Sequence, residues 1–173
     1  GTSDEPTDIN AYSIENAVND LELLLSKVGV RRYHLYGQSF GGILAFEFLK
    51  RLAERHETNN ENNNDDGCLS VILSSSPANV RQVEQAAEQL IQKLDSPELF
   101  RETHQCRMPE MPRPLVDAYA SAGSTWRGTT AITEYVAAKQ AENASRTPSC
   151  LALLGEHDVV SPDSTKEWNT LIR

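Results

Sequence analysis

The chain has 173 residues and a formal net charge of −9, with 39% hydrophobic and 24% charged residues. This length and composition predict a globular domain with a core of its own, and the acidic charge argues against nucleic acid or an anionic membrane as a partner. No apolar run is long enough to span a membrane and the first residues lack a signal-peptide layout, so we expect a cytoplasmic protein.

Cysteine and histidine usage argues against disulfides and metal sites. Cys68, Cys106 and Cys150 are odd in number and widely spaced, which favours reduced thiols. The four histidines are scattered without zinc-ligand spacing. We therefore predict neither a metal nor a cofactor, and the sequence leaves the oligomeric state open.

Helical and strand patterns alternate in the first half of the chain. The predicted elements are a helix over 14–28, a strand over 30–36, a helix over 40–55 and a buried strand over 68–74. Between the last two, residues 56–66 (HETNNENNNDD) are of low complexity and predict a disordered loop. The alternation predicts an α/β fold with a parallel sheet and flanking helices, whose site lies beyond the C-terminal strand ends.

The junction between the first strand and the second helix carries a chemical motif. Gly37, Ser39 and Gly41 spell G-x-S-x-G, which is typical of a nucleophile elbow. A serine hydroxyl is a weak nucleophile, so it must be exposed where a general base can reach it. A sharp turn exposes it at the cost of strained backbone angles, and it requires small residues where strand and helix approach.

The second half predicts a helical insertion followed by a return to the sheet. A helix is predicted over 80–94, and residues 96–143 read as short helical pieces interrupted by proline and glycine, without a strand. Such insertions above strand ends often act as lids. Ser149–Leu154 predicts a buried strand, Asp158 follows it where a histidine-orienting carboxylate would lie, and residues 163–167 predict the start of a helix.

Taken together, these segments resemble the proline iminopeptidase branch of the α/β-hydrolase superfamily, serine aminopeptidases that release N-terminal residues, often proline. The resemblance spans most of the chain and rests on residues 1–4 (GTSD), 35–45 (LYGQSFGGILA), 71–78 (VILSSSPA), 104–107 (HQCR), 126–135 (with W-R-G and T-E-Y) and 155–162 (GEHDVVSP). It implies a core over 1–79 and 149–173 with a helical cap over 80–148.

The resemblance also implies roles for individual residues. Ser39 would be the nucleophile, Asp158 the triad acid and the Phe40 N–H one oxyanion donor. A cap carboxylate would hold the free amino group of a small peptide or amide substrate, with Glu134 the first candidate and Glu102 the second. Both glutamates could instead lie on a solvated helix face. Gln38 could line the pocket or simply pack.

Two parts of the family pattern are not found. The family's catalytic histidine would follow residue 173, and an H-G-G oxyanion loop would precede Gly1, so we expect an internal fragment of a longer hydrolase. His34, His56 and His104 are poor candidates for the base, and His157 is the least implausible of the four. We therefore expect residues 1–173 alone to be inactive, because losing the base costs about 10⁴–10⁶ in kcat in well-studied serine proteases.

Other functions stay open. An esterase or amidase would use the same fold and nucleophile. A non-catalytic binding protein could retain the fold. Epoxide hydrolases and dehalogenases fit less well, because they place aspartate at the elbow where this chain has Ser39.

Overall fold

The computed structural model describes residues 6–59, 67–94, 96–121, 128–138 and 148–171. Its helices and strands, in chain order, are α1 (Ile14–Val28), β1 (Arg32–Gln38), α2 (Phe40–Asn59), β2 (Gly67–Ser74), α3 (Val80–Leu94), α4 (Pro97–Phe100), α5 (Arg113–Ser121), β3 (Ser149–Leu153), α6 (Pro162–Thr165) and α7 (Trp168–Leu171). Short 3₁₀ turns occur at Ile9–Tyr12 and Gly128–Ala131, and a π-helical turn at Arg101–Gln105.

The ends of α1 follow from local chemistry. Ser13 Oγ accepts a hydrogen bond from the Asn16 N–H at 3.1 Å, which satisfies one of the unpaired donors of the first turn. Gly29 ends the helix in the left-handed region at φ 66°, a conformation that glycine adopts without steric cost.

The three described strands form one parallel sheet in the order β1-β2-β3. Gln38 pairs with Ser74, and Ser74 with Leu153, so the strands end at the same level. The predicted parallel sheet with flanking helices is confirmed. The chain segments that follow the strands therefore leave the sheet along one edge.

The core lies between α2 and one face of the sheet. Its buried members are Ala45, Phe46, Leu49, Val71, Leu73, Ala78, Ala137, Trp168 and Leu171. Trp168 packs on Phe46 with ring centroids 4.8 Å apart, which joins α7 to α2. The half-buried Cys68 and Cys150 pack against this core, and burial raises the pKa of both thiols. All three cysteines are free.

Two predictions about elements are wrong in part. Residues 56–59 continue α2 instead of beginning a loop, while residues 60–66 lie outside the described residues. The strand predicted as buried over Ser149–Leu154 has Leu151, Leu153 and Leu154 exposed. The side chains of β3 alternate between the two faces of the sheet. Cys150 faces the core, so Leu151 and Leu153 point to the opposite face. β3 also lies at an edge of the described sheet.

The described residues between 96 and 138 are helical and irregular, as predicted. Between residues 96 and 138, the described segments contain helices and turns and a single antiparallel bridge from Val136 back to Asn79. None of the helices among the described residues combines the length and apolar character needed to cross a membrane.

Candidate active site

Ser39 follows β1 in a sharp turn with strained backbone angles. Its φ is 50°, in the left-handed region that non-glycine residues rarely adopt. The Ser39 N–H donates to the Ser74 carbonyl at 2.9 Å, and α2 begins at the next residue, Phe40. The turn therefore has the strand-turn-helix geometry predicted from the motif. It sets Phe40 at the helix N-terminus, where the helix dipole is positive.

The glycines around this turn differ in how much room they have. A Cβ at Gly37 would lie 2.4 Å from the Gly41 carbonyl oxygen, so only glycine fits there. Among the described residues a Cβ at Gly41 meets nothing within 4 Å, whereas one at Gly42 would lie 2.2 Å from Ser76 Oγ. The predicted need for small residues where strand and helix approach is met at Gly37 and Gly42, while Gly41 has room for a Cβ among the described residues.

Asp158 lies in a short turn after β3. Its N–H donates to the Gly155 carbonyl at 3.1 Å. Its carboxylate accepts from two donors: Oδ1 from the Val160 N–H at 2.9 Å, and Oδ2 from Ser75 Oγ. Ser75 is the first residue after β2, so the carboxylate is tied to the end of the neighbouring strand.

Ser39 and Asp158 line one cleft of about 470 Å³. Gln38 and Ser75 line it from the sheet edge, and Glu156, His157 and Val159 from the turn that carries Asp158. Its other wall comes from the helical region and consists of Thr103, His104, Gln105, Arg107 and Tyr119. The cleft is therefore lined by the predicted site residues Gln38, Ser39 and Asp158 and by side chains of the helical segment.

The histidines do not complete a triad within the described residues, where none is hydrogen-bonded to Ser39. His104 Nδ1 donates to the His157 carbonyl at 2.8 Å, and His157 Nε2 is 3.8 Å from a Glu156 carboxylate oxygen. His34 instead contacts Ser70 from the exposed face of β1. The side chain of His56 lies outside the described residues.

Neither glutamate expected to hold a substrate amine lines the cleft. Glu134 is 69% exposed and paired with Arg81 of α3, and Glu102 is paired with Arg101 at 3.0 Å. The structure thus brings Ser39, Gln38 and Asp158 together and leaves Glu134 and Glu102 outside. Two segments used for the resemblance, residues 1–4 and Trp126–Arg127, lie outside the described residues.

Sequence reasoning missed several residues of the site. Nothing pointed to Ser75 as a partner of Asp158, although the strand predicted over 68–74 places Ser75 just beyond a C-terminal strand end. Arg107 was noted only as part of the segment 104–107 that carries the resemblance, without a role in the site, and Tyr119 gave no signal in the linear sequence. Within the described part of the chain, no group of three or more His, Cys, Asp or Glu side chains could hold a metal ion.

Comparison with known proteins identifies the family to which the chain belongs. The family model described as "alpha/beta hydrolase fold" matches residues 1–104. Because this is more than half of the chain, the chain belongs to the α/β-hydrolase fold family. No curated protein matches the chain by sequence.

Solved structures agree with the fold and differ in activity. The crystal structure of VinJ matches with a TM-score of 0.69 and 17% identity, over 96% of this chain and 64% of that one. A proline iminopeptidase from Mycobacterium smegmatis matches at 0.67 and 20%, over 96% and 62%. An esterase from Exiguobacterium antarcticum matches at 0.61 and 17%, over 99% and 66%.

Other similar structures include epoxide hydrolases and a bromoperoxidase from Bacillus anthracis. This chain spans 62–66% of the length of VinJ, the iminopeptidase and the esterase. At these identities the likeness concerns the fold alone.

Proposed function

We propose that the protein carrying this chain is a serine hydrolase that forms an acyl-enzyme on Ser39. More specifically, we propose an aminopeptidase that releases N-terminal proline or other small residues from peptides or amides. The observation that carries the proposal is the positive φ of Ser39 at the end of β1, in a cleft shared with Asp158. Strained backbone of this kind concentrates at functional sites, and here it exposes a hydroxyl in the cleft that Asp158 also lines.

The reaction would have two steps, acylation of Ser39 and hydrolysis of the acyl-enzyme. Ser39 Oγ attacks the carbonyl carbon and gives its proton to a histidine base, which then protonates the leaving amine as the C–N bond breaks. Water cleaves the resulting ester by the same route and restores the serine. The Phe40 N–H would stabilise the oxyanion at the N-terminus of α2, and Asp158 would orient the base.

The base in this proposal is a histidine other than the four in this chain. The His104 Nδ1–H donates to the His157 carbonyl, and neither the His104 ring nor the His157 ring is hydrogen-bonded to Ser39. We expect His104→Gln and His157→Gln to lower kcat by less than about tenfold, whereas loss of the base costs about 10⁴ or more. Loss of 10⁴-fold activity in either variant would identify the base within this chain instead.

Hydrolysis assays on the protein that carries this chain test the function. We expect turnover of L-prolyl-β-naphthylamide, weak turnover of its N-acetylated form, and loss of activity in Ser39→Ala. Ser26→Ala, which removes an exposed hydroxyl on α1, is the matched control and should leave turnover unchanged. Unchanged turnover in Ser39→Ala would contradict the proposal. If a fluorophosphonate fails to label the wild-type protein, that protein is a non-catalytic member of the fold.

An esterase is the second candidate, and one observation favours it. Glu134 and Glu102, the carboxylates expected to bind a substrate amine, do not line the cleft. Among the cleft carboxylates of the described residues, Asp158 is tied to Ser75 and Glu156 is 89% exposed. Turnover of p-nitrophenyl acetate without turnover of the prolyl amide would decide for the esterase.

A further inference from the structure

Three consecutive serines, Ser74, Ser75 and Ser76, connect the two halves of the cleft. We call them the serine segment. On one side it holds the elbow: the Ser74 carbonyl accepts from the Ser39 N–H at 2.9 Å, and Ser76 Oγ donates to the Ser39 carbonyl at 3.0 Å. The backbone of Ser39 is thus bonded to this segment in both directions.

On its other side the serine segment holds the acidic turn through Ser75. The Ser75 N–H donates to the Leu153 carbonyl at the end of β3, at 2.8 Å. Its hydroxyl donates to Asp158 Oδ2, while the Val160 N–H occupies Oδ1. Each carboxylate oxygen therefore has one fixed donor, which sets the plane of the group. Since an ionised carboxylate offers about four acceptor positions, others remain for a base.

The backbone of Ser75 shows that its position is specialised. Its φ is 45°, and besides Ser39 it is the only non-glycine residue with a positive φ among the described residues. Glycine or asparagine adopts this region at lower cost. The side chain on this strained backbone is the one whose hydroxyl reaches the carboxylate across the strand ends.

We propose that Ser75 is a positioning residue that fixes the Asp158 carboxylate for the reaction at Ser39. This inference rests on the proposed function, in which Asp158 orients the base. Ser75 would act through Asp158 alone, without touching the substrate's reacting carbonyl. A misplacement of about 1 Å in a catalytic group can cost about 100-fold in rate, so losing one of two fixed donors should slow the chemical step and leave binding intact.

The experiment measures labelling of Ser39 by a fluorophosphonate in the full protein, which requires no knowledge of the natural substrate. In that reaction Ser39 Oγ bonds to phosphorus, fluoride leaves, and the hydroxyl proton passes to the base. The variants are Ser75→Gly, Asp158→Asn and the double variant. Ser75→Gly removes the hydroxyl and suits a positive φ, and Ser75→Ala is a second variant that keeps the Cβ. Thermal melting verifies that each variant is folded.

We expect Ser75→Gly and Ser75→Ala each to lower the limiting labelling rate about 10- to 100-fold. The probe concentration for half-maximal rate should stay within about twofold. Asp158→Asn should cost more, and adding Ser75→Gly to it should cost nothing further, because residues acting as a unit are non-additive.

Contrary outcomes separate this inference from the proposed function. If Ser75→Gly labels at the wild-type rate while Asp158→Asn is impaired, the inference fails and the proposed function stands. If the two effects multiply in the double variant, Ser75 does not act through Asp158. If Asp158→Asn labels at the wild-type rate, Asp158 is not the acid of the proposed function, and this inference fails with it.

Discussion

Gly42 packs directly against the side chain of Ser76. A Cβ at Gly42 would lie 2.2 Å from Ser76 Oγ and 2.4 Å from Ser76 Cβ. Rotation of the hydroxyl could relieve the first contact, but the second requires a shift of the backbone. Ser76 is buried, and its carbonyl accepts from Trp168 Nε1 at 2.8 Å, so the segment has little freedom to move.

We therefore expect Gly42→Ala to lower the free energy of unfolding by about 1–3 kcal/mol, the usual cost of overpacking. Gly41→Ala is the matched control one residue away. Its Cβ meets open space among the described residues, so we expect no loss and up to about 1 kcal/mol of gain from helix propensity. Denaturant unfolding measures both. Equal effects of the two substitutions would contradict the packing argument.

The sequence predicts those parts of the site that depend on neighbouring residues, and it does not predict contacts between residues that are far apart in the chain. The turn at Ser39 is predictable because Gly37 meets Gly41 within a few residues. The contact between Ser75 and Asp158 joins residues 83 positions apart and depends on strand register. Local patterns predict that both lie at the C-terminal strand edge, but they do not predict which side chains meet there.

At the scale of elements, Tyr135 connects the irregular segment before β3 to α2. Its hydroxyl donates to Glu47 Oε1 at 2.8 Å, and Lys50 pairs with the other oxygen of Glu47 at 3.1 Å. The Val80 N–H at the start of α3 donates to the Tyr135 carbonyl at 3.0 Å. Burial, and then the neighbouring Glu47 carboxylate, holds the pKa of this phenol well above its usual value.

We expect Tyr135→Phe to destabilise the protein by about 1–2 kcal/mol, because it removes a hydrogen bond to a partly buried charged group. Tyr36→Phe is the matched control, since the Tyr36 side chain is 63% exposed on the far face of the sheet. Thermal or denaturant unfolding compares the two. A loss of similar size in Tyr36→Phe would mean that the hydroxyl of Tyr135 contributes nothing specific.

Ionisation of Tyr33 on β1 should lower the stability of the folded protein at alkaline pH. Burial, followed by the neighbouring Cys68 and Glu22, raises the pKa of Tyr33 from 10.0 to about 12. The folded state then keeps a proton that the unfolded state loses, so the stabilisation is complete below pH 10 and is lost as the pH rises towards about 12. Melting temperatures should fall over that range, and less steeply in Tyr33→Phe. An identical slope in that variant would refute this assignment.

At the scale of the whole molecule, one face of the sheet carries several exposed apolar side chains. Tyr36, Leu151 and Leu153 all lie there, opposite the face that packs on α2. Hydrophobic patterns predicted strands correctly at these positions but overestimated the burial of β3. An apolar pattern shows that a residue can be buried, whereas burial itself depends on which elements stack on each face.

Trp168 is one of the residues that join the last described segment to the rest of the molecule. It is 3% exposed, packs on Phe46 of α2, and donates from Nε1 to the Ser76 carbonyl at 2.8 Å. We expect Trp168→Ala to cost about 3–5 kcal/mol in the free energy of unfolding. Trp168→Phe should cost about 1–3 kcal/mol, because it leaves the Ser76 carbonyl without this donor. The control Asn169→Ala, at an exposed neighbouring position, should change the free energy of unfolding by no more than about 0.5 kcal/mol.

The contact between Trp168 and Ser76 also bears on the elbow, because Ser76 Oγ donates to the Ser39 carbonyl. We therefore expect Trp168→Phe to slow fluorophosphonate labelling of Ser39 while the protein remains folded. An unchanged labelling rate would mean that this contact stabilises the fold without shaping the elbow.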